Sequence, residues 1–284
     1  MQRVALFGRK INNQDLSYVQ SLIKDIEQSN QRLLIYSAFY EAIKDKITFS
    51  KQVKTFNTNN DLCSECDILL SLGGDGTLLD CLPLVLDTDV AILGVNIGHL
   101  GFLTSVSRPE VSNLMSEIEK GNFDIEQHSL LNINNDYALN EVTLRCAMAG
   151  HLLDISVYID DEFLATYTAD GIIIATPTGS TAYNMSAGGP IISPKSQCFC
   201  LTPICPHNLT TRPLVVADSS VIKLKVTDFD SHVLLSIDSL SYERQVPFEC
   251  TLRKAKTSVK LIRMNNQSFF SAIREKLMWS KYLR

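Results

Sequence analysis

Up to Gly101 the chain alternates short apolar runs with stretches whose apolar residues recur at helical spacing. Val4-Ala-Leu-Phe predicts a strand, and 17–28 a helix with Val19, Leu22, Ile23 and Ile26 on one face. A second strand is predicted over 32–36, a helix over 38–45, a third strand over 67–72 and a fourth over 90–95. These strands are apolar on both faces, and the helical segments between them supply the cover. That combination predicts a buried parallel sheet with right-handed crossovers. Only Thr55 to Asn60 has the composition of a disordered stretch.

After Gly101 the rhythm changes. Pro109 to Lys120 predicts one helix, and from Phe123 onward β-type segments dominate, to about residue 260. Residues 155–164 hold an Asp-Asp turn, as in a hairpin. Further strands are predicted over 171–175, 213–216, 221–226 and 233–237. A last helix over 268–279 carries Phe269, Phe270, Ile273, Leu277 and Trp279 at near-helical spacing, a stripe that must be buried and is expected to complete the fold.

At 284 residues the chain is long for one core and predicts two domains. A net charge of −5 and a pI near 5.6 give no electrostatic support for a nucleic-acid or anionic-membrane surface. The N-terminus lacks the features of a signal peptide, and no run nears the roughly 20 apolar residues that span a bilayer, so a cytoplasmic protein is expected. Of the eight cysteines, Cys63 and Cys66 form a C-x-x-C. A second ligand pair is missing, so free buried thiols are favoured over a zinc or redox site.

Four segments carry candidate chemistry. Gly73, Gly74, Asp75, Gly76 and Thr77 directly follow the third strand and open a helix. Glycines there let backbone amides approach an anion, a helix start adds free N–H groups, and Asp75 lies where open α/β sheets bind ligands. Residues 169–190 run from a strand into a turn dense in hydroxyls and glycine, a candidate phosphate cradle without a Walker lysine. Charge neutralisation would then fall largely to bound Mg²⁺ or another divalent cation. Gly94, Gly98 and Gly101 follow the fourth strand at G-x₃-G-x₂-G spacing, which is not the dinucleotide fingerprint and reads equally as a loop needing φ > 0. Asn140 and Glu141 join an amide to a carboxylate at the head of a strand, able to read a ribose diol or an adenine edge.

Taken together, GGDGT at 73–77, NIGHLGFL at 96–103, ALNE at 138–141, TPTGSTAYNMSAGGPI at 176–191, PICPHNLTTRPLVV at 203–216 and the tail at 274–284 resemble the NAD kinase family over nearly the whole chain. GGDGT alone is shared with lipid kinases of the diacylglycerol type; TPTGSTAY narrows the match. The resemblance implies an α/β, Rossmann-like N-terminal domain over 1–102, with 262–284 returning to it, and a β-rich C-terminal domain over 103–261. It implies Mg²⁺-dependent phosphoryl transfer from ATP to the adenosine ribose 2′-hydroxyl of NAD, and a homodimer or homotetramer. Asp75 matches the family's catalytic aspartate, within a nucleotide-binding Gly73–Thr77 loop. Asn140 and Glu141 match the acceptor-nucleotide pair, and Asp170, Thr178, Thr181, Ala182, Tyr183, Asn184, Met185 and Ser186 match further NAD contacts. No residue is assigned as a metal ligand. The sequence leaves the donor open between ATP and polyphosphate.

Two positions depart from the family's pattern. Asp238-Ser239-Leu240 stands where relatives carry Asp-Gly-Gln or Asp-Ser-Gln, and leucine cannot make the glutamine's hydrogen bonds. Thr168 is neutral where many relatives carry arginine, which bears on NAD against NADH preference. The competing readings are a lipid kinase, for which no aromatic-rich entrance or basic membrane-facing run is visible, and a non-catalytic NAD(H)-binding module, which would lack Asp75 or Glu141.

Overall fold

The computed structural model describes residues 3–9, 11–29, 32–97, 101–106, 111, 113–148, 150–227, 232–265 and 267–279. The chain forms two compact units, Met1–Gln127 with Val259–Arg284, and His128–Ser258. In the first, the elements are β1 (Val4–Gly8), α1 (Leu16–Gln28), β2 (Leu33–Tyr36), α2 (Ser37–Ile43), β3 (Val53–Phe56), α3 (Asn59–Cys63), β4 (Ile68–Leu72), α4 (Asp75–Leu79), α5 (Leu82–Val85), β5 (Ala91–Val95), β6 (Thr104–Val106) and α6 (Leu114–Lys120).

The strands lie in the order β3-β2-β1-β4-β5, all parallel. β1, β4 and β5 are buried at every position, as strands covered on both faces must be. On α1, the predicted face of Val19, Leu22, Ile23 and Ile26 is fully enclosed. Each such side chain contributes roughly 1.5–3 kcal/mol at most. The stretch expected to be disordered is ordered instead: Thr55 and Phe56 belong to β3, and Thr58 forms a reciprocal capping box with Asp61 at the start of α3. The helix expected over 109–120 is described from Leu114; 107–110 and 112 lie outside the described residues. It stops at Gly121, whose φ of 71° is the left-handed cap that glycine adopts without strain.

The domain boundary expected at residue 102 falls later, after Gln127. β6 extends the first sheet by pairing with β5, and α6 buries Leu114, Met115 and Ile118 in the core that holds β1 and β4. Those contacts, invisible in local periodicity, draw 103–127 into the first unit.

The second unit holds β8 (Asp136–Ala138), β9 (Glu141–Cys146), β10 (Leu153–Ile159), β11 (Glu162–Ala169), β12 (Gly171–Ala175), α7 (Tyr183–Ser186), β13 (Cys198–Ile204), β14 (Leu214–Ala217), β15 (Ile222–Val226), β16 (His232–Ile237) and β17 (Leu240–Gln245). The chain enters it along β7 (Phe123–Ile133) and leaves along β18 (Phe248–Met264). One antiparallel sheet runs β14-β13-β12-β9-β16-β17. Its inner residues Leu144, Ile172 and Phe199 share a core with Ile155, Leu224 and Leu252 of the antiparallel array β11-β10-β15-β18. The predicted Asp-Asp turn joins β10 to β11, with φ of 52° at Asp160 and 66° at Asp161, the positive pair that a two-residue hairpin requires.

The end of β18 returns to the first unit, where Lys260 and Leu261 pair in parallel with Ala91 and Ile92. α8 (Phe269–Lys276) follows. The tail stripe is not buried as expected. Ile273 is 7% exposed, but Phe270 is 65% and Trp279 55% exposed. One enclosed side chain contributes roughly 1.5–3 kcal/mol, not a domain's whole stability of about 5–15 kcal/mol. Among the described residues no helix is long and apolar enough to cross a membrane.

Candidate active site

In the first unit, β4 delivers Gly73–Thr77 at its carboxyl end, beside the β1–β4 seam where the strand order reverses. α4 is only five residues long, so free amides rather than a helix dipole are what this loop presents. Asp75 is its first residue. The Phe102 and Leu103 N–H groups donate to its two carboxylate oxygens at 2.7 and 3.0 Å. Gly101 makes this embrace possible, since a Cβ there would stand 1.8 Å from Asp75 Oδ1. Neither Gly94 nor Gly101 has a positive φ, so they serve close approach, not the expected left-handed backbone; Gly98 lies outside the described residues.

Arg9, which sequence reasoning missed, follows β1 as the GGDGT loop follows β4, and forms an ion pair with Asp80 at the end of α4. A cleft of about 520 Å³ opens there, lined by Tyr36, Arg9, Asp80 and Leu84 among others. Its sequence signal was position, a cation just past a strand end.

In the second unit the central residue is also one that motif reading undervalued. Asp238, in the β16–β17 turn, accepts the N–H groups of Leu139 at 2.8 Å, Asn140 at 2.8 Å and Glu141 at 3.1 Å. It thereby holds the 138–141 loop at the head of β9. Leu240, two residues on, is 58% exposed. The Glu141 carboxyl is enclosed, with Oε2 unpartnered and the Tyr183 backbone N–H donating to the group. Burial first, and the Asp238 charge second, push Glu141 up to about 8, against an ordinary value of 4.5. Burial raises Asp238 as well, against three backbone donors that favour its ionised form. Three backbone N–H donors on Asp238 against one on Glu141 favour the proton of this pair on Glu141.

In the hydroxyl-rich turn the hydroxyls of Thr176, Thr178 and Ser180 point inward. Thr176 Oγ1 donates to the Leu139 carbonyl at 2.5 Å, and Thr178 Oγ1 shares a 2.7 Å bond with His128 Nδ1. Ser180 Oγ lies 2.7 Å from the Pro177 carbonyl and accepts the Ile192 N–H at 2.9 Å. Gly179 passes so close to the 138–141 loop that a Cβ would stand 2.1 Å from the Asn140 carbonyl oxygen. Asn184 is fully enclosed, donating to the Ser180 and Pro190 carbonyls and accepting from Thr202. The turn is thus a scaffold behind Asn140 and Glu141. Of the residues read from it, Tyr183 and Ser186 are exposed and Thr181, Ala182 and Met185 half-buried; Asp170 lies exposed before β12.

The cysteines are free thiols, as expected, but not all buried: Cys63 and Cys205 are exposed. Burial pushes the Cys66 thiol up to about 12, far from a reactive thiolate. Thr168 is exposed and hydrogen-bonds Asp154.

The two halves of this description coincide with two known domain families. Residues 4–123 match the ATP-NAD kinase N-terminal domain and residues 139–264 the ATP-NAD kinase C-terminal domain. An NAD kinase of Porphyromonas gingivalis is 35% identical over 290 residues, covering 100% of both chains. One of Bacteroides fragilis is 35% identical over 286 residues, covering 98% of each. Among solved structures, yeast NADH kinase complexed with NADH aligns with a TM-score of 0.87 and 26% identity, over 100% of this chain and 89% of that one. An NAD kinase from Archaeoglobus fulgidus in complex with ATP shares the fold, with a TM-score of 0.72 at 23% identity, over 97% of this chain and 98% of that one. Full-length identity to these enzymes, together with a GGDGT loop whose aspartate is clasped by the glycine-rich segment after β5, places the chain in the NAD kinase family.

Proposed function

We infer that this protein phosphorylates NAD, transferring the γ-phosphoryl group of ATP to the adenosine ribose 2′-hydroxyl, with Asp75 accepting that hydroxyl's proton. The observation that carries the reading is the fixed Asp75 carboxylate, its orientation set by two backbone amides at the end of a buried strand. Such a group aligns the hydroxyl and takes its proton late, since a loose transition state needs no early deprotonation. Holding acceptor and donor in line supplies roughly 7–11 kcal/mol of the barrier. A general base adds about 10²–10⁴-fold, so positioning dominates. In the same reading Asn140 and the neutral Glu141 carboxyl hold the acceptor nucleotide by hydrogen bonds, with the exposed faces of Thr181, Tyr183 and Ser186 beside them.

The acceptor is tested with a 2′-deoxyadenosine analogue of NAD, which should bind yet take no phosphate. Phosphorylated product from that analogue, located by NMR, would place the chemistry on another hydroxyl.

Among the described residues no three carboxylate, imidazole or thiol side chains converge as a metal cage. In this reading the Mg²⁺ ion is carried by the donor's phosphates, with Asp75 the protein ligand on hand. When bound, the ion neutralises charge on the transferring group. Chelation should therefore abolish turnover while leaving the melting temperature nearly unchanged; a large drop in thermal stability would point to a structural metal instead. A cytoplasmic location and self-association as a homodimer or homotetramer complete the reading, supported by the family alone. A lipid acceptor loses its support with the family assignment, and a binding-only module has no need of the Asp75 clasp.

A further inference from the structure

We propose that Lys276, on the C-terminal helix, is the cation that binds the donor's triphosphate beside Asp75. The proposal rests on the kinase reading above and adds to it a residue that no motif points to.

Lys276 lies half-buried on α8, with Nζ 5.0 Å from the centre of the Phe102 ring. Phe102 is the residue whose N–H clasps Asp75 at 2.7 Å. The ammonium is thus placed against the side chain of a residue whose backbone clasps Asp75, inside the first unit. Two other cations of the returning chain are paired, Arg263 with Glu126 at 2.7 Å and Lys260 with Asp89 at 2.6 Å, and Arg274 is exposed. Among the described residues no carboxylate pairs with Lys276. Burial lowers its pKa, while the Asp75 charge works the other way and Arg263 adds to the lowering. A half-buried ammonium without a carboxylate in an ion pair is costly to keep, and the aromatic face returns only part of that cost. A site of this kind is completed by an anion. The GGDGT loop otherwise presents backbone amides with no cation of its own, so a phosphate chain lying on it gains its positive counterpart from the tail. The plain alternative is a staple, in which Lys276 only fastens α8 to Phe102.

The experiment measures binding of inorganic triphosphate with Mg²⁺ to the full chain by calorimetry, alongside steady-state kinetics. Lys276→Met should weaken triphosphate binding and raise the KM for ATP by about tenfold or more, with melting temperature and NAD affinity unchanged. Lys276→Arg should restore both to within a few-fold. A staple predicts a lower melting temperature with triphosphate binding intact, and that result overturns the proposal. Where the Met variant does not fold, acetylation of wild-type Lys276, followed by mass spectrometry, is expected to slow under saturating Mg²⁺-triphosphate. Equal rates with and without the anion would also overturn it. If the wild type binds triphosphate through Lys276 yet makes no NADP, the kinase reading fails and the anion site stands.

Discussion

Asp75→Asn should lower kcat by about 10²-fold or more, with NAD affinity largely intact. Asparagine preserves the shape, so the loss isolates the charge and the proton-accepting oxygen. Its amide nitrogen must face one of two backbone N–H groups that now approach at 2.7 and 3.0 Å, where it offers a donor in place of an acceptor. One clasp bond is lost, a stability cost of about 1–3 kcal/mol, which a melting curve separates from the kinetic effect. The residues proposed to hold the acceptor, Asn140 and Glu141, belong to the other unit and keep their own support from Asp238. Steady-state rates with NADP read by a coupled dehydrogenase, together with calorimetric NAD binding, decide the matter. Near-normal turnover would remove Asp75 from the role.

Glu141→Gln should make the unliganded protein more stable at pH 8–9 while weakening NAD binding. The folded-state carboxyl titrates near 8 and the unfolded one near 4.5, so between those values the native state binds more protons. Stability therefore falls as pH rises through that window and is flat above it. A glutamine carries no charge to desolvate and abolishes the slope. Allowing for partial solvent access, the gain at pH 8.5 is about 2–4 kcal/mol, or roughly 5–10 °C in melting temperature. NAD affinity should drop about tenfold or more, because the carboxyl hydroxyl can accept as well as donate, whereas the amide NH2 that replaces it only donates. Melting temperatures between pH 5 and 9 test this. Parallel curves for wild type and variant would mean that Glu141 is ionised throughout.

The readable parts of the molecule were those whose signal is local. The order of strands and helices up to β5 follows from apolar runs bounded by helical spacing, and the Asp-Asp hairpin from turn chemistry. GGDGT announced itself through residue types that a bland turn does not need, whereas the 138–141 loop reads by its residues alone as a solvated loop and stood out only through the family resemblance. Direction was not readable. Thr176, Thr178, Ser180 and Asn184 have the composition of a ligand cradle, yet their polar atoms are consumed in holding β12 and the 138–141 loop together. Nor was long-range pairing. Asp238 acts on amides up to 99 residues away, and a one-dimensional pattern gives that partnership no mark. β18 was hidden for a related reason: its lysines and arginines interrupt the apolar alternation. The tail misled because periodicity reports a face, not what covers it.

The first unit is not contiguous in the chain, and this sets an order on its birth. The Lys260–Asp89 contact joins residues 171 apart. At a synthesis rate of about 5–20 residues per second, the early half waits roughly 10–30 s for its last strand. During that interval Ala91 and Ile92 of β5 lack their β18 partner, and the clasped aspartate has no C-terminal lysine near it. A ribosome that stalls or drops off late would release a chain with the nucleotide-loop sequence intact and its sheet unfinished. For this enzyme, late translational errors are the ones expected to fill the cell's proteolytic queue.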